Sequence, residues 1–169
     1  MLNQPKNVNE ELINKLRGAI HHRGLWMGLL LKEMKDRGLD WEDIGRKAIF
    51  NCGCLHGKEI ENKMDSNGGL VSFGNTFFTE EIRKIFEINV KNIDEDSLKL
   101  EYGHCPLVKA WQDLGFKDES LDKICDIAMC GDRGIESQFP EFEFELGRTI
   151  AQGYQVCEVN FYRKKNEAK

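Results

Sequence analysis

The feature that most constrains this chain is a change of hydrophobic period near Phe86. Before it, apolar residues recur three and four positions apart. After it, Phe86, Ile88 and Val90 alternate with Glu87, Asn89 and Lys91, and Leu98, Leu100 and Tyr102 alternate with Lys99 and Glu101. A period of two with one polar face is the mark of a half-buried strand, and the polar stretch Asn92 to Ser97 supplies a turn between two of them. The same alternation returns near the end. Phe142, Phe144 and Leu146 are spaced by Glu143 and Glu145, and Cys157, Val159 and Phe161 by Glu158 and Asn160. Two hairpins follow, each with one wet face.

The remainder reads as helix. Leu12, Leu16, Ala19, Trp26 and Leu30 recur at helical spacing behind a cap at Asn9, and Gly38 ends that helix. Asp40 caps a second helix with Ile44, Ala48 and Ile49 as its inner face, and the glycines of Cys52-Gly53-Cys54-Leu55-His56-Gly57 are expected to stop it. Asp65 to Thr76 is rich in Gly, Ser and Asn and reads as a loop; Thr79 caps a short helix. Between the hairpins, Pro106 opens one helix, and a further helix runs from about Glu119 to Cys130, with Leu121, Ile124, Ile127 and Ala128 inward. Gly131-Asp132-Arg133-Gly134 then reads as a turn. The expected fold is α+β: N-terminal helices followed by β-hairpin, helices and β-hairpin, forming an antiparallel sheet with helices on one face. No linker or repeat divides residues 1–169, so a single domain is expected.

Charge and composition exclude several jobs. Lys plus Arg is 24 against 29 for Asp plus Glu, a formal charge of -5, which argues against nucleic acid as a partner. The longest apolar run, Leu25 to Leu31, is too short to span a bilayer, so no membrane partner is expected. Met1 to Glu11 is polar and lacks a signal-peptide layout, which points to the cytoplasm. There the six cysteines are expected as thiols, ligands or nucleophiles rather than disulfides. G-x-G-x-x-G, Walker, H-E-x-x-H and G-x-S-x-G patterns are missing.

Chemistry concentrates at Tyr102-Gly103-His104-Cys105-Pro106. A residue before proline is pushed toward extended backbone, and a proline that opens a helix sits first in it. Cys105 is thereby placed at an N-cap, where free N–H groups and the helix dipole favour a thiolate. The plainer alternative is a small capping residue. His104 is adjacent, but neighbouring strand side chains point to opposite faces. Asp122, Cys125, Met129 and Asp132 share one helical face, which suits either a cleft or a helix rim. Arg133 could hold an anion or merely sit in solvent. His22 and Trp26 share a face of the first helix. Cys52-x-Cys54-x-His56 lacks the C-x2-C spacing usual in zinc sites, and Cys157 on a strand's apolar face suits a core thiol.

At these residues the sequence resembles the L-2-amino-thiazoline-4-carboxylic acid hydrolase family. The carrying stretches are His104 to Trp111, Cys125 to Ile135, Thr149-Ile150-Ala151 with Gly153, and Cys157 to Phe161, joined by His22-Arg23 with Trp26 and by Arg46 to Phe50. The resemblance implies hydrolytic opening of a cyclic amidine to a carbamoyl amino acid, with a small molecule as substrate. Under it, Cys105 is nucleophile or metal ligand and His104 or Asp132 the acid/base. Arg23 or Arg133, with His22, receives the substrate carboxylate. The competing route is water activated by a divalent metal or iron on Cys105, Cys125 and Cys157 or Asp132. The same C-terminal pattern is similar to ligand-binding domains of the vinyl-reductase type, which hold a small molecule or a metal without turnover. Exposed hairpin edges leave room for a homo-oligomer.

Overall fold

A computed structural model describes residues 2–65 and 68–165. The element order is α1 (Glu11–Asp36), α2 (Trp41–Glu61), α3 (Gly69–Phe77), α4 (Glu80–Phe86), β1 (Ile88–Ile93), β2 (Ser97–Tyr102), α5 (Pro106–Asp113), α6 (Asp118–Ala128), α7 (Cys130–Glu136), β3 (Phe142–Leu146), a 3-10 turn (Ile150–Gln152) and β4 (Cys157–Arg163). The fold is α+β. Its four strands form one antiparallel sheet in the order β1-β2-β4-β3, so the two hairpins abut along β2 and β4. The register sets Leu98 opposite Phe161, Leu100 opposite Val159, and Tyr102 opposite Cys157. These side chains cover the core face, while Lys99, Glu143 and Tyr162 lie on the other.

The strands and both hairpins lie where the alternation places them. Asp40 caps α2 by accepting from the Asp43 N–H, and Thr79 caps α4 through Ile82. The cap of α1 moves one residue, from Asn9 to Glu10. Three loop readings are overturned. Gly69 to Phe77 is helical, because Leu70, Phe73 and Phe77 fall at helical spacing among the glycines and bring Leu70 and Phe73 into the core; Ser66 and Asn67 of the expected loop lie outside the described residues. The glycines after Cys52 do not end α2, and Gly131 to Gly134 is part of α7 rather than a turn.

Both corrections have one cause. A Cβ on Gly53 would come within 2.0 Å of the Gly131 carbonyl oxygen, and one on Gly134 within 2.2 Å of that of Phe50. The two helices thus pack backbone to backbone, which only glycine permits. Trp111 Nε1 likewise donates to the Gly24 carbonyl (3.0 Å) and ties α5 to α1. The inner faces of the first two helices therefore differ from expectation. α1 buries Ile13, Arg17, Gly24, Gly28 and Leu31, and α2 buries Gly45, Gly53, Gly57 and Ile60. Ile44 and Ala48, expected inward, face solvent, and Ile49 is half-buried.

Two apolar clusters fill the interior. One is largely aromatic and centres on Phe73, Phe78, Phe142 and Phe161. The other holds Val108, Trp111, Ile124 and Ile127 together with Cys125 and Cys157, with Cys105 at its edge. No helix among the described residues is long and apolar enough to cross a membrane.

Candidate active site

Strand β2 ends at Tyr102, and three residues later α5 begins. Cys105 has extended backbone (φ -135°, ψ 109°) and caps α5, with Pro106 first in the helix. Two neighbours then fix the centre. Cys157 stands opposite Tyr102 in the ladder, and its Sγ accepts from the Ile150 N–H at 3.2 Å. Asp132 is carried by α7, drawn close by the glycine contact with α2. Electrostatically, Asp132 acts on Cys105 and Tyr102, Cys105 acts on Cys125 and Cys157, and Arg23 of α1 acts on both Cys105 and Asp132.

Tyr102, Cys105 and Asp132 are each surrounded by protein on all sides, yet each keeps surface that a water molecule can reach. Side chains in that situation sit at the margin of the close-packed core, apart from the two larger clefts of the molecule. Arg23, by contrast, is exposed. The arrangement is a polar recess with a guanidinium toward solvent and a carboxyl and thiol within.

Burial dominates the titration of this recess. It pushes the Asp132 carboxyl up to about 6, against the pull of its own backbone N–H and of Arg133 and Arg23. Burial also raises the Cys105 thiol. The N–H groups of Val108 and Leu107 pull it back down without closing a cap hydrogen bond, as does Arg23. The expectation of a dipole-lowered thiolate is thus overturned: removing the sulfur from water outweighs the helix terminus. Cys125 is raised well above the ordinary thiol range by burial, Cys157 is pushed up to about 12 by the same cause, and the Tyr102 phenol is raised too. At neutral pH the recess presents neutral thiols and a carboxyl that is mostly ionised but within about one pH unit of its midpoint.

The other sequence candidates fall elsewhere. His104 is buried, and its Nδ1 donates to the Asn3 carbonyl at 3.0 Å; burial lowers its pKa, with Arg17 and Glu87 as its charged neighbours. Its ring thus serves the N-terminal segment. Arg133 donates to the Asp126 carboxylate at 2.7 Å and to its carbonyl at 3.1 Å, in a network completed by Arg46. Burial raises Asp126, but those two guanidiniums outweigh it and hold the carboxyl below its usual value. His22 is exposed and accepts from Trp26 Nε1 at 3.0 Å. Among the described residues no three His, Cys, Asp or Glu side chains are grouped so as to hold a metal ion. Cys105, Cys125 and Cys157 thus share a cluster without forming a ligand set, and no divalent metal or iron is derived for them.

One residue escaped the sequence reading, and another was read only as part of a strand. Asn3 is buried with φ 64°; its Nδ2 donates to the Cys105 carbonyl at 3.0 Å, and its Oδ1 accepts from the Cys105 N–H at 2.7 Å. The second is Tyr102, which packs against both apolar clusters. Two clefts border the thiol-bearing cluster. The larger, about 650 Å³, has Leu31, Trp41 and Phe116 in its wall; the other, about 310 Å³, has Cys125, Arg46 and Thr149.

A family model described as L-2-amino-thiazoline-4-carboxylic acid hydrolase matches residues 17–161. The chain belongs to that family. The match takes in Arg23, Cys105, Asp132 and Cys157 and leaves Asn3 outside it. No curated protein matches the chain in sequence. Among solved structures, the chain is similar to the phenol-responsive sensory domain of the transcription activator PoxR with phenol. The TM-score is 0.57 at 11% identity, over 83% of this chain and 74% of that one. It is similar also to a trafficking protein particle complex subunit 3 from Naegleria fowleri covalently bound to palmitic acid. There the TM-score is 0.57 at 15% identity, over 87% and 96%. At such identities the likeness is one of fold.

Proposed function

We propose that this member of the L-2-amino-thiazoline-4-carboxylic acid hydrolase family opens a cyclic amidine of the 2-aminothiazoline-4-carboxylate type, with Asp132 moving the proton, Cys105 as nucleophile and Arg23 receiving the substrate carboxylate. The observation that carries this reading is a deep carboxyl titrating at about 6, coupled to a neutral thiol and to an exposed arginine. A general acid/base works best with a pKa near the working pH.

The steps balance with water alone. Asp132 takes the Cys105 proton as sulfur adds to the carbon between ring sulfur and nitrogen. The bond from that carbon to the ring sulfur breaks, and Asp132 returns the proton to the departing sulfur. Water then attacks the carbon held by Cys105, losing a proton to Asp132; cleavage of the Cys105 bond releases the carbamoyl product and reprotonates the thiol. Asp132 is the better supported base because His104 is engaged with Asn3. Arg23 is the better supported carboxylate partner because Arg133 is engaged with Asp126.

A second reading is a binding module without turnover. It draws support from the shared fold of a sensory domain crystallised with phenol and a subunit covalently bound to palmitic acid. One experiment separates them. Purified protein is incubated with 2-aminothiazoline-4-carboxylate, with chelator and with added divalent metal, and the carbamoyl product is followed by mass spectrometry. Turnover that survives chelator and disappears in Asp132→Asn is the expected result. Folded protein that binds the compound but never opens it, under either condition, assigns the chain to the binding class.

A further inference from the structure

Helix α1 carries two apolar faces where one is enough to hold it. Ile13, Gly24, Gly28 and Leu31 are buried, with Gly24 and Gly28 against α5. The other row is Leu12, Leu16, Ala19, Trp26 and Leu30. Within it Leu12 is 63%, Trp26 64% and Leu30 57% exposed, and Leu29 beside it is 52% exposed. Gly24 and Gly28 point inward on this helix while Leu12, Trp26, Leu29 and Leu30 point outward. Leu16 is half-buried; among the described residues nothing in the chain covers the exposed faces of Leu12, Trp26 and Leu30.

The spacing of that row says what fits it. Counting Arg23, the steps from residue 12 to residue 30 are four, three, four, three and four. Residues 12, 19 and 26 thus recur every seven, as do 16, 23 and 30, the heptad spacing of a seam between two helices. Arg23 is the one charged residue in the row; opposite the small Ala19 its stem lies on the seam while its guanidinium stays at the edge, open to the substrate carboxylate. The steps read the same from either end. Turned end for end about a two-fold axis near His21, a second α1 sets Leu12 opposite Leu30, Leu16 opposite Trp26, and Ala19 opposite Arg23. A self-complementary row of this kind is what an isologous interface requires.

We propose that two copies of this chain associate through an antiparallel seam of α1 against α1. The row spans about 27 Å of helix and leaves on the order of 600 Å² of apolar surface per copy in solvent, at the top of the range for a monomer's largest patch. A pair covers much of that surface on both copies, an interface at the small end of the specific range.

Sedimentation velocity on the full chain at micromolar concentration tests this. A dimer is expected. Trp26→Glu, at an exposed position, should weaken association about 30-fold or more while leaving the circular dichroism spectrum unchanged. The register is read by charge. Leu12→Glu alone and Leu30→Lys alone should each give monomers. The double variant Leu12→Glu/Leu30→Lys should dimerise again, because the antiparallel seam pairs each Glu with the other copy's Lys. A wild-type chain that stays monomeric, including one that binds phosphatidylcholine vesicles instead, overturns the proposal. So does a dimer indifferent to Trp26→Glu, or a double variant no better than the single ones.

Discussion

One sheet serves two interiors of different chemistry. Over one part of it Phe73 meets Phe77, Phe139, Phe142 and Phe161 at ring-centroid distances of 4.9 to 5.7 Å, with no titratable group in the buried set. Over the other, α5, α6 and the 3-10 turn close on Cys125 and Cys157, with Cys105 and Tyr102 at the margin and Asp132 acting on both of these. The first region is organised to be dry. The second places ionisable groups where water is scarce but not excluded, which costs stability and pushes each pKa up, the Asp132 carboxyl toward neutrality and the thiols and phenol away from it. Tyr102 belongs to the edge of both clusters and marks the boundary.

The sharpest way to break this contrast is in the aromatic half. Phe73 has no exposed surface and contacts four other rings. Phe73→Ala should lose about 3–5 kcal/mol of stability, transfer and cavity costs together. Chemical denaturation would show this as a large fall in midpoint. The recess chemistry, measured below the new midpoint, should change little.

Asp132→Asn should do the reverse. Turnover should fall about 10²–10⁴-fold, the usual contribution of a general acid/base. Stability should rise. A carboxyl whose folded pKa is raised from 3.8 to about 6 favours the folded state only while protonated. That contribution is complete below pH 3.8 and is lost as the pH climbs through about 6. At pH 7 and above, ionised Asp132 therefore costs on the order of 3 kcal/mol, which the neutral amide avoids. Denaturation of both proteins at pH 4 and pH 8 checks the sign. A gain confined to the higher pH agrees, and equal stability at both would show that Asp132 is not desolvated. In the wild type, the activity profile should carry an inflection near pH 6.

Cys105→Ala comes next. If the thiol attacks, turnover should vanish while stability changes by about 1 kcal/mol or less, as for a partly exposed position away from the close-packed rings. Trapping by mass spectrometry of a substrate-weight adduct on Cys105, absent in the variant, would make the assignment chemical. Retained turnover would leave Asp132 to activate water directly.

Much of this division was legible in the sequence. The strands announced themselves because a period of two with glutamates on one face has few other readings, and Pro106 fixed Cys105 at the strand-to-helix junction. The inner faces of α1 and α2 were hidden because those helices bury glycine. An amphipathic pattern selects the largest apolar side chains, here Leu12, Trp26, Leu30 and Ile44, and these are the exposed ones. The helix at Gly69 to Phe77 was masked by its glycines and asparagine. The thiol's pKa was misjudged for a related reason: a helix terminus can be read from local sequence, whereas desolvation depends on what α7 and α1 bring across the fold.

Asn3 illustrates the same limit and supplies the smallest expected effect. It lies 102 residues from Cys105, so no local pattern signals the pairing of its amide with the Cys105 N–H and carbonyl. It also precedes the stretch matched by the family model, so the segment that steadies the junction is separate from the residues that define the family. Asn3→Ala should lower stability by about 1–2 kcal/mol, the net worth of two intramolecular hydrogen bonds with one backbone donor left unpaired. If the segment only adds stability, kcat at low temperature should be unchanged. If it holds the Cys105 backbone in position, kcat should fall with KM unaltered, and the inflection near pH 6 should persist because Asp132 keeps its surroundings. That split would show whether the polar recess is complete within residues 17–161 or is aligned from outside them.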